Sequence, residues 1–201
     1  MKNKRPCPGR LAVCIAVVSM ILAATGAAQE KPVPKRYSQQ GVLEIGGSAM
    51  FNYSVPVVNG ETGTSTWQIL ATPCVGYFVI DGLQVGAEPL GIGIVHAGGA
   101  TQTELRFLGA VAYHLRVNRY IYPYVQGLAG YTASIESGGG TQTTVSGFSW
   151  GGRLGAKFPV ADRGIVSVGV HYLLITTDPA GAQKRNGVNE LAATVGFAIW
   201  F

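Results

Sequence analysis

From Gly41 onward the chain alternates. Leu43, Ile45, Gly47, Ala49, Phe51 and Tyr53 share one parity, and Glu44, Gly46, Ser48, Met50 and Asn52 share the other. Successive side chains of a strand point to opposite faces, so this spacing predicts a strand with one apolar face and one small or polar face. The period recurs over about 66–79, where Trp67, Ile69, Ala71, Val75, Tyr77 and Val79 oppose Gln68, Leu70, Thr72, Cys74 and Gly76. Pro73 requires a bulge there, or a place that donates no ladder hydrogen bond. A third strand over about 83–95 changes parity partway. Leu83, Val85 and Ala87 are in phase, Leu90, Ile92 and Ile94 are not, and a bulge at Pro89 resets the facing by one residue. A fourth strand over 103–115 sets Leu105, Phe107, Val111, Tyr113 and Leu115 against Glu104, Arg106, Leu108, Ala110, Ala112 and His114. A fifth covers 120–135, with its facing open around Tyr122-Pro123-Tyr124.

The sixth strand, 143–160, turns Phe148, Trp150, Leu154, Ala156 and Phe158 outward and Ser149, Gly151, Arg153 and Lys157 inward. The seventh has Val166, Val168, Val170, Tyr172 and Leu174 on one face and Ser167, Gly169 and His171 behind. The eighth, 190–201, alternates Leu191, Ala193, Val195, Phe197, Ile199 and Phe201 with Glu190, Ala192, Thr194, Gly196, Ala198 and Trp200. A soluble protein rarely leaves such an apolar strand at an edge, because it invites aggregation. A closed barrel has no edge, and in a bilayer the apolar face needs no protein cover. The connections 55–65, 96–102, 136–142 and 176–189 read as long loops. Those at 81–82, 116–119 and 162–164 read as short turns, and this asymmetry is the one expected of a membrane barrel with periplasmic termini. The fold class is therefore an all-β, eight-stranded antiparallel up-and-down transmembrane β-barrel over residues 41–201.

The outward aromatics form two sets. Tyr53, Trp67, Trp150 and Tyr172 fall near the loop ends of their strands, and Tyr77, Tyr113, Phe158 and Phe201 near the turn ends. Amphipathic rings at both interfaces are what a bilayer selects. The inward polar set is Glu44, Gln68, Glu104, Arg106, His114, Arg153, Lys157, His171 and Glu190. An eight-stranded barrel has room only for side chains, so these groups are expected to pair across the lumen. Arg106 and Arg153 are the expected centres of that network, bound to Glu104, Glu44 or Glu190.

The N-terminus changes the charge picture. Residues 1–28 carry Lys2, Lys4, Arg5 and Arg10, an apolar stretch from Leu11 to Ala24, and small residues up to Ala28. They read as a cleaved signal peptide, followed by a loose periplasmic lead-in over 29–40. Four of the 15 basic residues and none of the 10 acidic ones lie in the leader, so the remainder is near neutral at +1. The basic balance is then no argument for nucleic acid. Cys7 and Cys14 also leave, and Cys74 remains as a small inward or core residue rather than a reactive thiol.

Candidate chemistry is sparse. Gly147-Phe148-Ser149-Trp150-Gly151 matches G-x-S-x-G, with Asp162 and His171 following, but the motif needs a strand-to-helix turn and here lies inside a strand. Ser167 and His171 share a strand four residues apart, about 13 Å along it. His96, His114 and His171 are scattered, without metal-ligand spacing, and no residues call for a cofactor.

The stretch 73–83, Pro-Cys-Val-Gly-Tyr-Phe-Val-Ile-Asp-Gly-Leu, together with Tyr122-Pro123-Tyr124-Val125, Gly155-Ala156-Lys157-Phe158 and the last strand, resembles hairpins of the small bacterial outer-membrane β-barrel family. The groups it suggests are the OmpA transmembrane domain, OmpX and opacity-type proteins. The resemblance implies that Val195, Phe197, Ile199 and Phe201 form the C-terminal signal read by the barrel-assembly machinery. It implies contact with outer-membrane lipid and lipopolysaccharide, and a structural or surface-interaction role, non-enzymatic, through the longer loops. A narrow porin-like solute channel, a lipid-modifying outer-membrane enzyme and a soluble lipocalin-like barrel are the alternatives.

Overall fold

A computed structural model describes residues 36–97, 100–138, 141–177 and 184–201. The signal peptide and most of the lead-in fall outside them. Among the described residues, eight long strands form one sheet. They are β1 (Leu43–Val58), β2 (Thr66–Ile80), β3 (Leu83–Ala97), β4 (Ala100–His114), β5 (Tyr122–Gly138), β6 (Thr141–Pro159), β7 (Gly164–Thr176) and β8 (Gly187–Trp200). A two-residue strand, Glu61–Thr62, folds back on the end of β1. Each long strand pairs antiparallel with the next, and β8 pairs with β1 from Glu44↔Trp200 to Val57↔Gly187, so the sheet closes. The structure is a closed eight-stranded antiparallel β-barrel, and its eight long strands form no open edge.

Local sequence fixes the short turns. Asp81-Gly82 joins β2 to β3, with Gly82 at φ 80, a left-handed conformation that suits a residue without Cβ. In the β4–β5 turn, Asn118 Oδ1 accepts hydrogen bonds from the backbone N–H of Tyr120 (2.7 Å) and Ile121 (2.9 Å). β5 consequently starts at Tyr122, two residues after the alternation suggests.

The strands run further toward the loop end than expected. His96↔Thr101 and Ala97↔Ala100 pair, so most of the expected loop 96–102 is ladder. Glu136↔Thr143 and Gly138↔Thr141 do the same in the expected loop 136–142. β1 continues through Pro56 to Val58, and β8 begins at Gly187. These stretches are rich in Gly, Thr and Ser and carry no apolar parity, so the ladder continues without the alternation that reveals it.

Both proline irregularities are present. The β2–β3 register shifts between Ala71 and Val75, and the β3–β4 register shifts between Glu88 and Gly91. Across Pro89 the buried parity changes from Gln84 and Glu88 to Gly91. The facing resets by one residue, as a bulge requires.

The outer face carries Ile45, Phe51, Ile69, Phe107, Val111, Leu154, Val170, Leu191, Val195 and Phe197, all exposed. The buried residues lie inside. The lumen is not uniformly polar. Tyr37, Val42, Phe78, Tyr122, Ile165 and Ala198 cluster at the turn end. Leu108, Ala110, Leu128, Leu173 and Ile175 form a second cluster, and Met50, Leu70 and Ala192 a third.

Candidate functional site

The inward parity places all nine expected lumen residues in buried positions: Glu44, Gln68, Glu104, Arg106, His114, Arg153, Lys157, His171 and Glu190. They sort into layers along the axis. Toward the loop end, Arg106 donates to both Glu104 and Glu190, the latter at 2.6 Å, and Gln68 Nε2 donates to Glu104 Oε2 at 2.9 Å. Arg106 reaches Glu104 along its own strand and Glu190 across the lumen, so one guanidinium holds two carboxylates.

In the next layer Arg153 Nη1 donates to Glu88 Oε1 at 2.6 Å and to Gln126 Oε1 at 3.0 Å. This corrects the expected pairing of Arg153 with Glu104, Glu44 or Glu190. Those carboxylates are engaged elsewhere, while Glu88 lies inward just before the Pro89 bulge. Glu88 was not among the expected lumen residues, because Glu88-Pro89 reads as an interruption. Its parity with Gln84 is the signal that could have found it. His171 stands opposite Arg153 across the β6–β7 ladder.

Nearest the turn end, Lys157 Nζ donates to both oxygens of Glu44, at 2.6 and 2.8 Å. Gln84 Nε2 donates to Glu44 Oε2 at 3.0 Å, and the Tyr37 hydroxyl donates to the same oxygen at 2.7 Å. A buried carboxylate is tolerated when its lone pairs are met in this way. Tyr37 comes from the segment expected to be a loose lead-in. Burial first, and the Glu44 carboxylate second, hold its phenol well above the ordinary tyrosine pKa, so it stays a donor. His114 stacks on Tyr124 at 5.5 Å between ring centroids, beside Tyr37. A cavity of about 50 Å³ lies among these groups, lined by Glu44, Cys74, Gln84, Glu88, Arg153 and Lys157 among others.

The G-x-S-x-G stretch has no triad geometry. Ser149 is buried in β6, its hydroxyl bonded to Thr132 Oγ1 at 2.7 Å, and it pairs with Ile175, four positions from His171. Asp162 lies exposed in the β6–β7 turn.

Of the expected belts, Trp67, Trp150, Tyr172, Tyr77, Tyr113 and Phe201 are exposed, and Tyr53 and Phe158 half-buried. Trp67 stacks on Phe51 at 4.8 Å and lies against Tyr53 at 4.7 Å between centroids. On β8, Val195, Phe197 and Ile199 alternate outward and Phe201 follows them, exposed.

A closed barrel with an ion-paired lumen and an apolar outer wall defines a class, the small transmembrane barrels of eight strands. Solved structures of that class superpose on the chain. Neisserial surface protein A matches with a TM-score of 0.63 at 13% identity, over 80% of this chain and 99% of that one. The outer membrane protein OprG from Pseudomonas aeruginosa matches with a TM-score of 0.50 at 15% identity, over 85% and 99%. At such identities the likeness is one of fold. No protein-family model and no curated protein matches the chain.

Proposed function

We propose that the chain is an integral protein of a bacterial outer membrane, with a structural or surface-interaction role and no catalytic one. The observation that carries this reading is the inversion of the barrel: ion pairs inside, and a continuous coat of exposed Phe, Ile, Val and Leu outside. In water that coat would drive association, and in lipid it needs no partner. Under this reading the turn end and both termini face the periplasm. The β8 residues Val195, Phe197, Ile199 and Phe201 serve recognition by the assembly machinery.

Surface contact would fall to the loop end. There the β1–β2 and β7–β8 connections are tied together, by Asn59 N–H to Asn186 Oδ1 (2.9 Å) and Gly60 N–H to Arg185 O (3.0 Å). Arg185 also donates to Asn189 Oδ1 at 2.6 Å, so this part of the loop surface is held in place for lipopolysaccharide or a surface ligand. The interleaved charges and leucines in the lumen favour a filled barrel over a porin-like channel. Among the histidines whose side chains are described, His114 and His171 turn into the lumen, away from any lipid substrate, which favours a non-enzymatic role over lipid modification.

Cell fractionation with heat-modifiable gel mobility tests the reading. The protein should sediment with outer membranes and run faster unboiled than boiled. Recovery in the soluble periplasm with identical mobilities would reject it.

A further inference from the structure

We infer that residues 36–42 form a strap sealing the turn end of the lumen, with the Tyr37 side chain as its stopper, and that displacing the strap opens the internal cavity to small hydrophilic molecules. The inference rests on the barrel lying in a bilayer, because lipid then closes the lateral approaches to the cavity wall.

The strap is a built element. Gly41 N–H donates to Phe78 O at 2.8 Å, Phe78 N–H to Val42 O at 2.9 Å, and Gly82 N–H to Ser38 O at 2.8 Å. The Asp81 carboxylate accepts from Gln40 N–H at 2.8 Å. The chain thus crosses from β1 to the β2–β3 hairpin and doubles back. The reversal passes through two left-handed residues, Ser38 at φ 68 and Gly41 at φ 79. A serine rarely adopts that conformation, and it persists where surrounding contacts enforce it. The reversal points Tyr37 inward. Its ring is 3% exposed and meets Phe78 at 5.3 Å, Tyr122 at 5.0 Å and His114 at 5.9 Å, each edge to face.

The two ends of the lumen differ. Toward the loops, the cavity is followed by Leu70, Leu108 and Leu173, all without exposure, and by the layer of Arg106 with Glu104 and Glu190. Toward the turns it is followed by Glu44 and Lys157 and then by the strap, packed on Phe78, Tyr122 and Ile165. The loop-side plug is made of side chains from strands locked in the closed ladder. The strap is a seven-residue segment outside the closed ladder of the long strands, held by these hydrogen bonds and by the buried Tyr37 and Val42, and a terminal segment of this kind can open locally while the barrel persists. In the cavity's wall residues Glu88 and Arg153, the buried atoms Oε2 and Nε and Nη2 have no hydrogen-bond partner in the protein. The volume and these groups suit a few water molecules, so an opened strap would connect a polar chamber to solvent.

Cys74 lines that cavity and is a free thiol, so the protein carries its own reporter. The experiment is labelling of the protein in lipid vesicles with a charged, bilayer-impermeant methanethiosulfonate, with the adduct assigned to the Cys74 peptide by mass spectrometry. Heat-modifiable mobility of each sample confirms the folded barrel and so separates failure of the strap from failure of the membrane reading. Tyr37→Ala should raise the labelling rate at least tenfold over the wild type. Tyr37→Phe, which keeps the ring, should raise it less. Asp81→Ala removes the exposed tether while Gly82 keeps the turn, and should also raise it, by a smaller factor. Folded Tyr37→Ala labelled at the wild-type rate would overturn the inference. If Tyr37→Ala does not fold, Asp81→Ala decides, and a wild-type rate in that folded variant would overturn it equally.

Discussion

Replacing Arg106 with methionine is expected to lower the stability of the folded barrel by about 3–5 kcal/mol, the range for breaking a buried charge pair by removing one partner. The side chain has no solvent exposure and compensates both Glu104 and Glu190. Methionine fills much of the volume, so a cavity contributes little. The loss comes from two carboxylates left in the lumen without a cation, with Gln68 as the remaining donor to Glu104. Replacing both carboxylates by glutamine in the methionine background should recover most of the loss, because a polar cluster without net charge needs no counter-ion. Urea unfolding in lipid vesicles measures both changes. A loss below about 1 kcal/mol for the single variant would place it in the range of an exposed ion pair and remove Arg106 from the centre of the network.

The second large effect is expected on the opposite face. Leu154→Arg should destabilise the barrel by about 2–4 kcal/mol, the magnitude for a lipid-facing arginine at the midplane of a membrane barrel. Leu154 is exposed on β6, between Val125 and Val170 on its neighbours. It is four residues from Trp150 toward the loops and four from Phe158 toward the turns, about 13 Å along the strand each way. On a water-facing surface the same change would stay within about 0.5 kcal/mol, so the size of the effect reports the solvent. The same unfolding assay reads it, and a change inside that smaller range would mean that Leu154 does not meet lipid.

Much of the barrel was legible in the chain, for a reason these two positions illustrate. A bilayer outside and a packed lumen inside impose opposite chemistry on alternate residues. Arg106 and Leu154 therefore declare their faces by parity alone. Pro89 announces the one place in β3 where parity must change, and the register shift lies there.

What was not legible lacked such a contrast. Thr101 and Thr141 sit in stretches without apolar alternation and look like loop residues, although they pair in the ladder. The Arg153–Glu88 pair joins residues 65 apart, and their meeting depends on strand tilt and stagger, which parity does not encode. Tyr37 is a lone aromatic between Arg36 and Ser38 with no periodicity around it. Its burial follows from the closure of the barrel beside it.

Acyl-chain bromine quenching measures directly whether lipid covers the outer wall. Trp67 and Trp150 lie exposed on the outer face, while Trp200 packs inward against the cluster around Tyr37. With single-tryptophan variants in vesicles of brominated phosphatidylcholine, the fluorescence of Trp67 and Trp150 should fall strongly and that of Trp200 much less. Equal fluorescence of Trp67 and Trp150 in brominated and unbrominated vesicles would contradict that cover.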